Sequence, residues 1–136
     1  YKAQRDAQPE DISFAIPYII QIMKGMRIPV EIIPNFEADD VIGTLAKKAE
    51  KEGFQVFMVT PDKDYAQIVS ENIFQYKPAR FGNDIEILGV DDVLKKWEIK
   101  RIDQVIDLLG LMGDAVDNIP GLPGVGPKTA VKLLAE

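Results

Sequence analysis

Apolar and polar positions alternate along this chain with two different periods. Ile12, Ile16, Ile19, Met23 and Met26 recur at helical spacing, and Pro9, Glu10 and Asp11 before them suit a helix N-terminus. Pro17 lies inside that series and predicts a kink or a restart. After Gly25 the β-rich run 28–33 reads as a short strand. Residues 37–52 predict the clearest helix, with Val41, Leu45 and Ala49 on one face, lysines on the other and Gly53 as its stop. Residues 54–59 then read as a buried strand, so that strand, helix and strand follow one another with short joins, the parallel α/β pattern. Runs 73–76 and 85–88 flank Gly82, Asn83 and Asp84 and predict an edge hairpin. Beyond Val90 the pattern turns helical, over 91–97, 102–112 and 127–135. The reading is an α/β body over 1–90 that gives way to a helical lobe over 91–136. The polar opening of the chain supplies no first strand, which points to a piece of a longer protein.

The 136 residues, 46% of them hydrophobic, suffice for one core. No run approaches the length of a membrane span and the first residues form no apolar signal segment, so a soluble cytoplasmic protein is expected. The absence of Cys and His removes disulfides, thiolate or imidazole zinc sites and any Cys/His or Ser/His nucleophile pair. A net charge of −6 argues against a nucleic-acid partner unless the acids surround bound cations, in which case they become part of the attraction for phosphate.

Three acidic clusters decide that question. Glu37, Asp39 and Asp40 open the helix after the first predicted strand; alone they also suit a helix dipole. Glu37 and Asp40 share a face at i,i+3, whereas Asp39 points elsewhere unless the first turn is irregular. Asp62 and Asp64 stand where the second strand runs out, and in extended chain a two-residue offset puts both carboxylates on one side, at the end of a sheet where ligands bind; a polar turn with Asp64 as a cap is the plainer alternative. Asp114 and Asp117 follow the helix ending near Met112, where the dipole disfavours acids, so a cation would compensate, with a solvated turn as the alternative. Taken together, carboxylates without softer donors select Mg²⁺, or Mn²⁺ in its place. Two such ions suit phosphoryl-transfer hydrolysis.

Residues 119–130 are the most specific local signal. Gly121, Gly124 and Gly126 allow the backbone to approach a phosphate, Pro127 suits the first turn of a helix whose N-terminus faces that anion, and Lys128 and Lys132 sit i,i+4 on it. The pattern is a helix-hairpin-helix grip on DNA, with Val125 and Thr129 beside the glycines. A P-loop fails on spacing and lacks a preceding buried strand, and a tight helix–turn–helix connection is the structural alternative. Such a grip reads backbone charge and shape rather than sequence.

The stretches Tyr-Lys-Ala-Gln-Arg, Glu-Ala-Asp-Asp-Val-Ile-Gly-Thr-Leu-Ala, Val-Thr-Pro-Asp-Lys-Asp, Gly-Asp-Ala-Val-Asp-Asn-Ile-Pro-Gly and Gly-Val-Gly-Pro-Lys-Thr-Ala resemble, in order, those of the 5′ nuclease (flap endonuclease) superfamily and, within it, the N-terminal domains of bacterial DNA polymerases I. The resemblance implies a PIN-like parallel-sheet body with a helix-3-turn-helix lobe, cutting DNA at 5′ ends and flaps in replication and repair. It implies that Glu37 and Asp39 hold a first metal ion, that Asp62, Asp64 and Asp117 hold a second, and that Asp40 and Asp114 act through metal-bound waters. It places Lys2 and Arg5 at the phosphate to be cut and Gly124, Gly126 and Lys128 on the duplex, with a K⁺ ion at the hairpin. The implied partners are duplex DNA with a 5′ end or flap and a polymerase domain in the same chain, with no membrane and a monomeric state. The family opens with a strand bearing another metal-binding Asp, followed by a second Asp, and neither segment precedes Tyr1. The resemblance thus implies weakened metal binding and cleavage. A noncatalytic helix-hairpin-helix module and a PIN-like RNA nuclease are the competing readings.

Overall fold

The structure, a computed structural model, describes residues 7–79, 82 and 84–135. Its first element, α1 (Glu10–Gly25), begins after Pro9, with Glu10 and Asp11 in the first turn and Lys24 in the last, each charge matched to its end of the helix dipole. It runs through Pro17 without the restart that the proline predicted. No residue of α1 is buried, and Ile12, Phe14, Tyr18, Ile19 and Ile22 are all exposed.

The expected strand over 28–33 does not form; these residues are irregular, and Ile32 is 71% exposed. Its β-branched composition favours extended backbone, but a strand exists only as part of a hydrogen-bonded ladder, and Pro29 and Pro34 bring no N–H to one. No neighbouring strand pairs with it among the described residues.

Helix α2 (Ala38–Lys51) starts with the Glu37 backbone N–H donating to Asp40 Oδ2 at 3.1 Å, and Gly53 at φ +87° follows its end. Its buried face centres on Ala46, one position from the predicted Val41, Leu45 and Ala49 stripe, and Leu45 is left half exposed. Strand β1 (Val56–Val59) pairs in parallel with β2 (Ile73–Lys77), which pairs antiparallel with β3 (Glu86–Leu88). The order β1-β2-β3 puts β2 in the centre. The run reads as a buried strand, yet within β1 only Met58 is fully inside. Phe57 and Val59 look outward, with Phe57 stacked on Phe74 at 5.4 Å between ring centroids. The predicted hairpin is present as β2 and β3.

A 3-10 helix (Lys63–Ile68) joins β1 to β2 and buries Tyr65 and Ala66. Together with Ala46, Met58, Val69 and Ile73 these form one end of the core; Val93, Ile99, Val105, Leu108 and Ala130 form the other. The latter come from α3 (Val90–Trp97), α4 (Gln104–Met112), α5 (Pro127–Ala135) and the turns between them. Gln104 ties this half together: Oε1 accepts from the N–H groups of Lys100 and Arg101 at 2.8 and 3.0 Å, and Nε2 donates to the Leu134 carbonyl at 3.0 Å. The architecture is α/β with a mixed sheet and a helical C-terminal part. Among the described residues no helix is long and apolar enough to cross a membrane.

Candidate metal and nucleic-acid site

The acids gather where β1 ends, where α2 begins and where α4 ends. The chain does not stay extended past β1, as the two-residue argument for Asp62 and Asp64 assumed. Instead Asp62 caps the 3-10 helix, its Oδ1 accepting the Asp64 N–H at 3.0 Å, and Asp64 is carried into the first turn. Gln75, fully buried on β2, fixes this bend by donating from Nε2 to the carbonyls of Thr60, at 3.1 Å, and Asp62. Its Oε1 meets no hydrogen-bond partner among the described residues.

Asp39 and Asp40, from the first turn of α2, line a cleft of about 230 Å³ with Asp64, Tyr65 and Gln67. The buried Tyr65 hydroxyl donates to Asp39 Oδ1 at 2.9 Å, which fixes that carboxylate in spite of the spacing that turned it away from Glu37 and Asp40. Burial, and then the hydrogen bond to Asp39 and its charge, push the Tyr65 hydroxyl well above its ordinary pKa, so it remains a donor.

A second cleft of about 230 Å³ lies alongside, lined by Asp64 and Gln67 again and by Asp114, Asp117 and Gly113. Asp64 and Gln67 thus belong to both walls. Gly113 and Gly121 set this end: Gly113 pairs with Pro120 in the two-residue ladder of β4 (Gly113–Asp114) and β5 (Ile119–Pro120), and Gly121 follows directly. A Cβ on Gly113 would lie 2.2 Å from the Gly121 nitrogen, and one on Gly121 would lie 2.3 Å from the Met112 carbonyl carbon. Gly121 is therefore a packing glycine. Asp114 Oδ1 accepts from the N–H groups of Val116 at 2.8 Å and Asp117 at 3.3 Å, while its Oδ2 takes the Lys63 ammonium. Lys63 also lies 3.6 Å from Asp64.

The electrostatics record this crowding. Burial raises the Asp64 carboxyl above the usual carboxylate range; Lys63 opposes, and the charges of Asp62 and Asp114 add to the rise. The Lys63 hydrogen bond holds Asp114 below that range against the effect of burial, and the same bond raises Lys63. Glu37 stands at the α2 N-cap and lines neither cleft. No three acids converge tightly enough to hold one ion among the described residues. The donor set nevertheless fits a hard divalent cation in kind: every donor is a carboxylate oxygen, and a cation, the Lys63 ammonium, is already drawn in between Asp64 and Asp114.

At the hairpin, Gly124 (φ +78°) and Gly126 have open space where a Cβ would point, the room a close backbone approach needs. Val125 donates to the Leu122 carbonyl at 3.0 Å and Ala130 to that of Gly126 at 2.9 Å, closing the turn onto α5. Lys128, Thr129 and Lys132 are exposed on that helix. Lys2 and Arg5 lie outside the described residues. Sequence reasoning missed Lys63, Tyr65 and Gln75. Lys63 had a signal, standing between two aspartates, whereas the roles of Tyr65 and Gln75 depend on contacts distant in sequence.

The likenesses to known proteins agree with this layout. Residues 1–98 match the family model described as "5'-3' exonuclease, N-terminal resolvase-like domain", and residues 101–136 match "5'-3' exonuclease, C-terminal SAM fold". The chain is 44% identical over 134 residues to a 5'-3' exonuclease of Aquifex aeolicus, covering 98% of this chain and 45% of that one. It is 42% identical over 136 residues to DNA polymerase I of Bacillus caldotenax, covering 100% of this chain and 15% of that one. The chain thus spans less than half the length of either relative. The bacteriophage T5 flap endonuclease, solved as a pseudo-enzyme–product complex with DNA and metal ions, shares the fold with a TM-score of 0.76 at 20% identity, covering 98% of this chain and 48% of that one.

Proposed function

Because the chain belongs to the 5′-3′ exonuclease family, we propose that it supplies the acid site and the duplex grip of a divalent-metal-dependent 5′ nuclease, hydrolysing DNA phosphodiesters at 5′ ends and flaps. The observation that carries this reading is the sharing of Asp64 by two adjoining clefts, one walled by Asp39 and Asp40 and the other by Asp114 and Asp117. Acids from three distant stretches share one neighbourhood, where their mutual repulsion calls for cations.

Glu37 and Asp39 would hold one ion and Asp62, Asp64 and Asp117 another, with Mg²⁺ the natural occupant and Mn²⁺ its substitute. Bound there, such ions supply an activated water and neutralise the charge developing at phosphorus. The protein's own part is positional. Asp62 fixes the bend that presents Asp64, and Tyr65 orients Asp39. The open backbone at Gly124 and Gly126, with Lys128 and Lys132 beyond it, receives the duplex phosphates, with K⁺ as an added counter-charge; Lys2 and Arg5 contact the phosphate being cut. Membership of the body (1–90) and the helical lobe (91–136) in one monomeric, cytoplasmic repair and replication enzyme that carries a polymerase domain completes the proposal.

The test is a labelled 5′-flap duplex mixed with the native gene product in Mg²⁺ or in EDTA. The reading requires a product in Mg²⁺ that is lost in EDTA and lost on Asp62→Ala. Binding unchanged by either treatment, with no product, would make the chain a passive grip on duplex DNA.

A further inference from the structure

Lys63 is a cation set among groups that should themselves attract cations. Its ammonium bonds to Asp114 Oδ2 and lies 3.6 Å from Asp64. Asp114 turns its other oxygen inward to the N–H groups of Val116 and Asp117. Both Asp114 oxygens are therefore engaged, and the side chain is only 17% exposed. The bridge spans a wide gap in sequence: at one end is the loop bearing Asp62 and Asp64, at the other the turn bearing Asp117. Beyond this bridge, α4 packs against the 3-10 helix.

We propose that Lys63 and Asp114 form a positioning pair, in which Lys63 anchors Asp114 and Asp114 in turn holds the 114–117 turn so that Asp117 stays on the wall of the cleft it shares with Asp64. This rests on the divalent-ion reading given above and assigns Asp114 a role other than ligand. A partly buried ion pair whose acceptor also takes two backbone N–H groups is geometrically constrained, unlike an isolated surface pair. Lys63 then acts on the ions through the placement of Asp117.

The sign of one substitution separates this role from simple charge competition. Lys63→Met removes a positive charge next to the site, so electrostatics alone predicts tighter binding of a divalent ion. Loss of a positioning contact predicts the opposite, a fall of roughly ten-fold, as for residues that orient metal ligands. The experiment is calorimetric titration of the native gene product with Mn²⁺, for wild type, Lys63→Met, Lys63→Arg, Asp114→Asn and the double variant Lys63→Met/Asp114→Asn, each checked for folding by thermal melting in EDTA. The pair predicts weaker binding in both neutralised singles, a double variant no worse than the weaker single, and recovery in Lys63→Arg. Tighter binding in Lys63→Met, or additive losses in the double variant, would overturn it.

Amide hydrogen exchange in EDTA provides a reading that needs no metal. Faster exchange at Val116 and Asp117 in Lys63→Met supports the pair, and unchanged exchange there refutes it. If wild type takes up no Mn²⁺, the divalent-ion reading fails by itself and the exchange result still decides the fate of the pair.

Discussion

Replacing Gln75 by Leu should separate stability from function. In the native fold the side-chain amide is fully buried and donates to the carbonyls of Thr60 and Asp62. Since both partners are acceptors, the amide nitrogen must face them, which leaves Oε1 pointing where nothing donates to it among the described residues. Leu has nearly the same volume. It forfeits two hydrogen bonds worth about 1 kcal/mol each, and it removes an unpaired buried oxygen that costs about 1–3 kcal/mol. The terms nearly cancel, so urea unfolding should show a change within about 1 kcal/mol of zero. The bend after β1 loses its anchor, however, and with it the fixed placement of Asp62 and Asp64. Divalent-ion affinity should fall roughly ten-fold, in line with other contacts that orient ligands. Calorimetry and unfolding on the same preparation make the test. A stability loss of about 3 kcal/mol or more would show that the bonds to the Thr60 and Asp62 carbonyls outweigh the relieved oxygen, and unchanged affinity would show that Gln75 does not position the acids.

Two further outcomes follow from the geometry. The Ser70 hydroxyl donates to Glu50, and this bond, supported by Lys47 and opposed by burial, lowers the Glu50 carboxyl below its ordinary pKa. A depressed folded-state value stabilises the fold above the unfolded pKa, and that stabilisation is lost as pH falls through the folded value. Denaturation midpoints across the acidic range should therefore drop less steeply in Ser70→Ala than in wild type, and identical profiles would remove Glu50 from the acid response. If Lys128 and Lys132 each neutralise a duplex phosphate, alanine at either position should weaken binding uniformly across DNA sequences and reduce the logarithmic salt slope by about one. Sequence-selective loss would mean that the hairpin reads bases.

Local signals in the sequence were legible where the interaction is itself local. The caps of α1 and α2, the Gly53 stop and the β2–β3 hairpin depend on neighbours a few residues apart. The acid clusters were visible for the same reason, and so were the open glycines of the hairpin. Long-range effects were not. The 28–33 run has strand composition, but among the described residues no strand pairs with it. Of the Val41, Leu45 and Ala49 stripe of α2, Val41 and Ala49 are half-buried and Leu45 is exposed, while the fully buried position is Ala46, whose small side chain carries little weight in a hydrophobic pattern. Asp64 reads as part of an extended strand end because nothing nearby in sequence announces that Gln75, from another strand, bends the chain there. Gly121 reads in the sequence as one of the hairpin glycines, and nothing local announces that it also packs against the Met112 carbonyl beside Gly113.

The claim on which the rest depends is that carboxylates from distant stretches share divalent ions. Crystals of the native gene product soaked in Mn²⁺, with anomalous diffraction recorded at the manganese edge, would test it most directly. Anomalous peaks should appear beside Asp64, reached by Asp39 on one side and by Asp62 and Asp117 on the other. Well-measured data with no peak there, or peaks confined to unrelated surface carboxylates, would contradict it.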